Sequence, residues 1–190
     1  MPIRDLIVKN RSYRRFYQDE KVTPDQLRKL VDLARLSPSG ANLQPLKFIF
    51  SNSAEKNDMI FPCMAWAGYL KDWAGPEEGE RPSAYIIILG DASIKTEPKN
   101  DQGIAAQSIL LGAVEMGLGG CMIGSIKREK LRDSLGISAQ YEILLAIALG
   151  KPKETVVIDD MGSDNDVRYW RDENQVHHVP KRSLNDLILE

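Results

Sequence analysis

The sequence predicts an α+β fold, a mixed or antiparallel central sheet flanked by helices, and three observations lead there. With 190 residues, 43% of them hydrophobic, the chain can bury one substantial core, so one domain is expected over 1–190. Two apolar runs, AYIIILG at 84–90 and ILLAIALG at 143–150, are too short to span a membrane and read as buried strands, the first strongly β-branched. Helical segments fall between the strands without the regular alternation of a doubly wound parallel sheet.

The elements follow in order. Pro2 suits a first helical turn, and Ile3, Leu6 and Ile7 give a short helix one apolar face, with Asn10 as a left-handed stop. The basic segment RSYRRF comes next, as a turn or extended stretch. Thr23 and Gln26 make a capping-box pair with Pro24 at the first helical position. Leu27, Leu30, Val31 and Ala34 then recur at helical spacing until Ser37-Pro38 ends the helix. LKFIFS at 46–51 is a strand, and Ser53 caps a short helix that Pro62 interrupts.

Residues 61–82 form an irregular excursion, a lid or an interface element, in which Trp66, Tyr69 and Trp73 share one face of a short helix. After the strand at 84–90, Asp101 caps a helix with a broad apolar face of Ala106, Ile109, Leu110, Ala113 and Val114. The glycines at 117, 119 and 120 stop it, and 121–123 is a short strand ending at Gly124. Ser125 caps a helix amphipathic through Leu131 and Leu135 and closed by Gly136. Residues 151–190 are a polar, irregular C-terminal extension with a short helix after Ser183.

Composition removes several classes of function. A net charge of -2, from 25 basic and 27 acidic residues, gives no global reason to bind nucleic acid, so any anion site is local. Cys63 and Cys121 are too few and too far apart for a disulfide framework or CxxC chemistry, and Cys121 sits in apolar company. The N-terminus carries charges inside its apolar pattern, unlike a signal peptide, and no run spans a membrane; a cytoplasmic protein is expected. His177 and His178 are adjacent in an extended segment and point to opposite faces, which suits packing better than one metal. The acidic run DDMGSDND lacks the glycine position and closing glutamate of a calcium loop. No nucleophile elbow, phosphate loop or zinc spacing occurs, so no protein-borne catalytic group is legible, as when a cofactor carries the chemistry.

Two constellations remain. Arg11, Ser12, Arg14 and Arg15 lie before the first capped helix, and the loop SPSGANLQP, with Asn42 and Gln44, lies after it. Guanidiniums beside a hydroxyl suit a phosphate, and carboxamides suit the edge of a polar heterocycle. A flavin mononucleotide carries both ends, although a basic cluster taken alone is ordinarily solvated surface. The glycines around Gly119 do not make a dinucleotide fingerprint, because that frame needs glycine at Met122 and runs from strand into helix. They bring bare backbone near a planar ligand, or they simply stop a helix.

RSYRRF, SPSGANLQPLKF, GLGGCMIG and ALGKP, in that order and spacing, resemble the FMN-dependent nitroreductase family over nearly the whole chain. WAGYL…GERPSAYIIIL and VRYWRDENQVHHVPKRSL resemble a compact branch of it. The resemblance implies a nitroreductase-like sandwich, an obligate homodimer, and FMN at the dimer interface bound by residues of both chains. It implies that Arg11, Ser12 and Arg14 hold the phosphate and ribityl chain, with Arg14 reaching the pyrimidine side and favouring the reduced anion electrostatically. Ser39, Asn42 and Gln44 would lie along the flavin, and Met122, Ile123 and Gly124 would pass backbone groups near its N5 edge. Lys181 and Arg182 would complete the phosphate site, with Lys151 a further candidate. Leu46 departs from the aromatic residue that many members carry there, and the excursion around Trp66 either covers the substrate side instead or is dimer core.

The implied activity is ping-pong hydride transfer from NADH or NADPH to an electron-poor acceptor, a nitroaromatic or a quinone. The alternatives are other chemistry on the same fold (flavin destruction, reductive dehalogenation, heterocycle oxidation) and a non-catalytic flavin-binding module.

Overall fold

A computed structural model describes residues 1–98, 100–163 and 165–189. Asp164, in the acidic run, lies outside the described residues. The elements are α1 (Ile3–Lys9), β1 (Phe16–Tyr17), α2 (Pro24–Leu36), β2 (Leu46–Ser51), α3 (Ala54–Ile60), β3 (Ala84–Asp91), α4 (Asp101–Glu115), β4 (Gly119–Ile123), α5 (Arg128–Leu135) and β5 (Tyr141–Pro152). β6 (Val156–Asp160), β7 (Trp170–Arg171) and β8 (His177–Lys181) follow in the tail.

The fold is α+β. Five strands form an antiparallel sheet in the order β1-β5-β3-β2, with β4 also paired to β5. Every residue of β3 is buried because both faces of the sheet are covered. Ala84, Ile86 and Ile88 pack with Leu27, Leu30, Ala106 and Ile109 of α2 and α4. Tyr85, Ile87 and Leu89, turned the other way by the two-residue period of a strand, pack with Ile60, Cys63, Trp66 and Leu131. Helices thus lie on both sides of one sheet, and the run AYIIILG is apolar at alternate positions for two different cores. α2 and α4 touch closely: a side chain at Gly112 would meet Leu33 at 2.2 Å.

The capping box of Thr23 and Gln26 and the Ser53 cap of α3 form as expected. Elsewhere tertiary partners override local signals. Asn10 ends α1 with extended rather than left-handed backbone. Asp101 opens α4 but does not cap it; Asn100 holds that position, and the Asp101 carboxylate faces the loop at 39–40. Lys127, not Ser125, precedes α5, which does close on left-handed Gly136.

The excursion holds no helix through Trp66, Tyr69 and Trp73. Trp66 turns into the core, Tyr69 is exposed, and the Trp73 ring lies under the Arg171 guanidinium. Gly75, at φ +125°, lets the chain pass the Trp66 ring, which a side chain there would meet at 2.7 Å. The tail is more ordered than its composition suggests. β6 pairs parallel with β8, and β7 antiparallel with it, in a small mixed sheet. A turn held by Ser183 Oγ, rather than a helix, follows it. Among the described residues no helix is long and apolar enough to cross a membrane, and no cluster of three or more His, Cys, Asp or Glu is placed to hold a metal.

Candidate functional site

The N-terminal segment after α1 is stitched to the edge of β4. Ser12 pairs with Gly120 in a parallel bridge, and the Gly120 carbonyl accepts from the Tyr13 amide at 3.1 Å. Gly119 and Gly120 are therefore glycine for packing: a side chain at Gly119 would strike the Tyr13 ring at 2.5 Å, and one at Gly120 the Ala148 carbonyl at 2.5 Å. Gly117, at φ +74°, ends α4. The Gly120 carbonyl faces away from β5, and strand periodicity turns the backbone groups of Met122 to the same open edge.

This stitching gathers Arg11, Ser12, Arg14, Met122 and Lys181 around a cavity of about 310 Å³ whose wall includes Gln107, Tyr169 and His177. No carboxylate lines it among the described residues. A second hollow of about 180 Å³ shares Arg14, Met122 and Tyr169 with it and adds Trp66, Ile123 and Gly124. The two make one cationic, aromatic-walled cleft in an acidic protein.

Arg14 is held from several sides. Its Nη1 donates to the Ser12 carbonyl at 3.1 Å and faces His177 Nε2 at 3.2 Å, and its guanidinium lies 4.7 Å from the centre of the Tyr169 ring. Glu154, fully buried, accepts from the Arg14 and Arg15 amides and from Arg171 Nη2 at 3.0 Å, tying the tail to the arginine segment. Arg11 donates through Nη2 to the Ile7 carbonyl at 2.8 Å, while its buried Nε has no partner among the described residues. Burial pushes the Arg11 guanidinium below its ordinary pKa, so an anion beside it relieves a desolvated charge.

Arg15 leaves the cleft. It grips Glu80, with Nη2 at 2.7 Å from Oε1, and with Lys153 holds that carboxyl down to about 2. His177 is fully buried, and burial with the Arg14 charge takes its imidazole down to about 4, so it is neutral near pH 7. Burial pushes the Cys63 and Cys121 thiols up, in keeping with structural cysteines.

The loop SPSGANLQP lies elsewhere. Asp101 accepts from Ser39 Oγ at 2.6 Å and from the Gly40 amide at 3.1 Å, and Ser39 Oγ accepts from the Gln44 amide at 3.0 Å. Ser39 is thus committed to shaping the loop, whereas the Asn42 and Gln44 side chains stand exposed. Ala41, Asn42 and Gln44 all take left-handed backbone (φ 51°, 55° and 51°), a concentration of strain in one short loop. Ser39 and Gln44 line a different cavity, with Asp101 and Ala105 of α4 in its wall. Gln107 and Leu110 of α4 face the arginine cleft. At 100° per residue those two pairs lie on opposite sides of the helix, so α4 separates the two groups within one chain. Arg182 is exposed beside Lys181 and lines none of these cavities, and Lys151 is exposed where β5 pairs with Tyr17.

Sequence reasoning missed Tyr169 and His177, which line the cleft, and Glu154 and Arg171, which tie the tail to the arginine segment. For Tyr169, Arg171 and His177 the signal was the clustering of charge and aromatics in VRYWRDENQVHH, whereas nothing local marked Glu154.

The model of the nitroreductase family matches residues 7–151. A Methanothermobacter thermautotrophicus protein provisionally named as an NADH dehydrogenase/NAD(P)H nitroreductase is 30% identical over 161 residues, 81% of this chain and 79% of its own length. An Archaeoglobus fulgidus protein of the same provisional name is 27% identical over 148 residues, 74% of this chain and 80% of its own. An FMN-dependent nitroreductase of Clostridium difficile superposes with TM-score 0.62 at 26% identity, over 78% of this chain and 87% of its own. A nitroreductase family protein of Clostridium novyi covers 98% of both chains with TM-score 0.67 at 22% identity, which shows the shared fold.

Proposed function

Since this chain belongs to the nitroreductase family, we propose that it is an FMN-dependent oxidoreductase that takes hydride from NADH or NADPH and delivers it to an electron-poor acceptor, a nitroaromatic or a quinone, by a ping-pong mechanism. The observation that carries the reading is the cleft of Arg11, Ser12, Arg14 and Lys181, which no carboxylate lines among the described residues.

The residues present fit FMN. Among the described residues Arg11 offers an unpartnered buried Nε, and Arg14 keeps Nε and Nη2 clear of the bonds its Nη1 makes, donors for a phosphate or for ring oxygens. Met122 turns its amide to the open edge of β4, beside Ile123 and Gly124, where a planar ring would find a backbone donor. Lys181 adds charge from β8, and Arg182 lies next to it. Bound FMN supplies the two-electron chemistry itself. The chain's part is to orient the ring, exclude water with Trp66 and Tyr169, and keep positive charge on the side where a reduced flavin is anionic.

Asn42 and Gln44 complete the site from a second copy, as α4 keeps them from the cleft of their own chain. A homodimer is supported by α1, which buries none of its residues and leaves Ile3, Ile7 and Val8 exposed, and by exposed Leu36, Leu43 and Ile104 on neighbouring segments. We assign residues 1–190 to one flavin-binding domain, with 61–82 walling the cleft and 151–190 closing it.

Visible absorption of the purified protein, with FMN titration of any flavin-free fraction, tests the reading. Flavin bands or saturable quenching, bleached by NADH or NADPH under nitrogen, are expected. A folded protein indifferent to FMN overturns it, and flavin that neither nucleotide reduces points to other chemistry on the fold.

A further inference from the structure

His177 was expected only to pack, yet its ring meets the most constrained charge in the cleft. A guanidinium carries donors alone, so at 3.2 Å from Arg14 Nη1 the His177 Nε2 is the acceptor, and the ring proton resides on Nδ1. That Nδ1 is buried without a partner among the described residues, a penalty tolerated only if another contact fixes the tautomer. Both hydrogens of Arg14 Nη1 are then used, one on the Ser12 carbonyl and one on His177. The guanidinium plane is pinned over Tyr169, and Nε and Nη2 are left to a ligand.

We propose that His177 is the positioning residue of this cleft: a neutral imidazole whose Nε2 lone pair holds Arg14 and aims the rest of its guanidinium at the bound anion. The charged and titratable groups around the ring agree with a neutral state. Arg14 faces it from the N-terminal segment, Arg171 lies opposite it in β7, His178 is adjacent, Tyr169 stands 5.2 Å away ring to ring, and Glu154 is occupied by Arg171 and two amides. The role rests on the flavin reading, since it concerns what Arg14 is aimed at.

Two measurements separate them. In isotope-labelled apoprotein at pH 7, nitrogen NMR is expected to show His177 with the proton on Nδ1 and a lone pair on Nε2. FMN titrations then compare the wild type with His177→Gln, whose Oε1 stands close to where Nε2 stood, and with His177→Leu, which has no acceptor. His177→Leu is expected to weaken FMN at least about tenfold, the scale of a hydrogen bond to a charged group, and His177→Gln to stay within about threefold. Thermal melts show whether each variant is folded; if His177→Leu is not, the tautomer and His177→Gln decide. A proton on Nε2, unchanged affinity in folded His177→Leu, or equal loss in both variants overturns the proposal. Wild-type protein that binds no FMN while showing the expected tautomer removes the flavin reading and leaves the Arg14–His177 geometry supported.

Discussion

At the scale of single residues, charge decides the account. Arg11→Ala removes a half-buried cation whose Nε has no partner among the described residues, and FMN affinity is expected to fall by about 1.5–3 kcal/mol in a fluorescence titration. Glu154 works from the opposite sign: fully buried, it joins Arg171 to the arginine segment. Glu154→Ala leaves Arg171 buried and unpaired and is expected to destabilise the fold by about 3–5 kcal/mol in urea, with Glu154→Gln milder because it keeps an oxygen for the two amides.

His177 sets a pH dependence. Its folded pKa, about 4, lies below the ordinary 6.5, so the unfolded chain binds the proton more readily. Its share of stability is complete above about pH 6.5 and drains away as pH falls towards 4, and a melting series against His177→Gln measures it. The arginines were legible because they cluster in sequence. Their partners were not, since Glu154 and His177 stand 140 and 163 positions from Arg14, and no local pattern links a buried acid to the amides it will accept from.

Among the elements, the helices with a complete local signal were readable and those governed by tertiary contact were not. α2 carries cap, proline and apolar stripe within its own residues. Asp101 looked like a cap for α4, but a loop 61 positions away recruits its carboxylate. The excursion failed as a helix because Trp66 is worth more buried under α3 than stacked with Tyr69 on a solvated turn. The strands of the tail, two to five residues each, are too short for an alternation to show. Gly75→Ala forces a side chain against Trp66 at a left-handed position and is expected to lower the melting temperature clearly. Asp101→Ala releases the loop at 39–44 and is expected to weaken FMN without disturbing the arginine cleft, which the His177 nitrogen spectrum would show intact.

For the molecule as a whole, the central strands followed from their apolar runs, but the division into two cores and the site did not. The two halves that the sequence places at either end of α2 fold onto opposite sides of α4 and line separate cavities. Such a division makes sense when two copies of the chain bring the cleft of one to the loop of the other. A mixed dimer tests this most directly. One chain carries Arg11→Ala and Arg14→Ala, the other Asn42→Ala and Gln44→Ala, and bound FMN is counted by absorbance after purification on two different tags. Each doubly substituted homodimer is expected to hold little FMN, and the mixed dimer about one per pair, because one of its sites is whole. A mixed dimer as empty as its parents, or a loop-substituted homodimer as full as the wild type, would contradict a flavin site shared between chains.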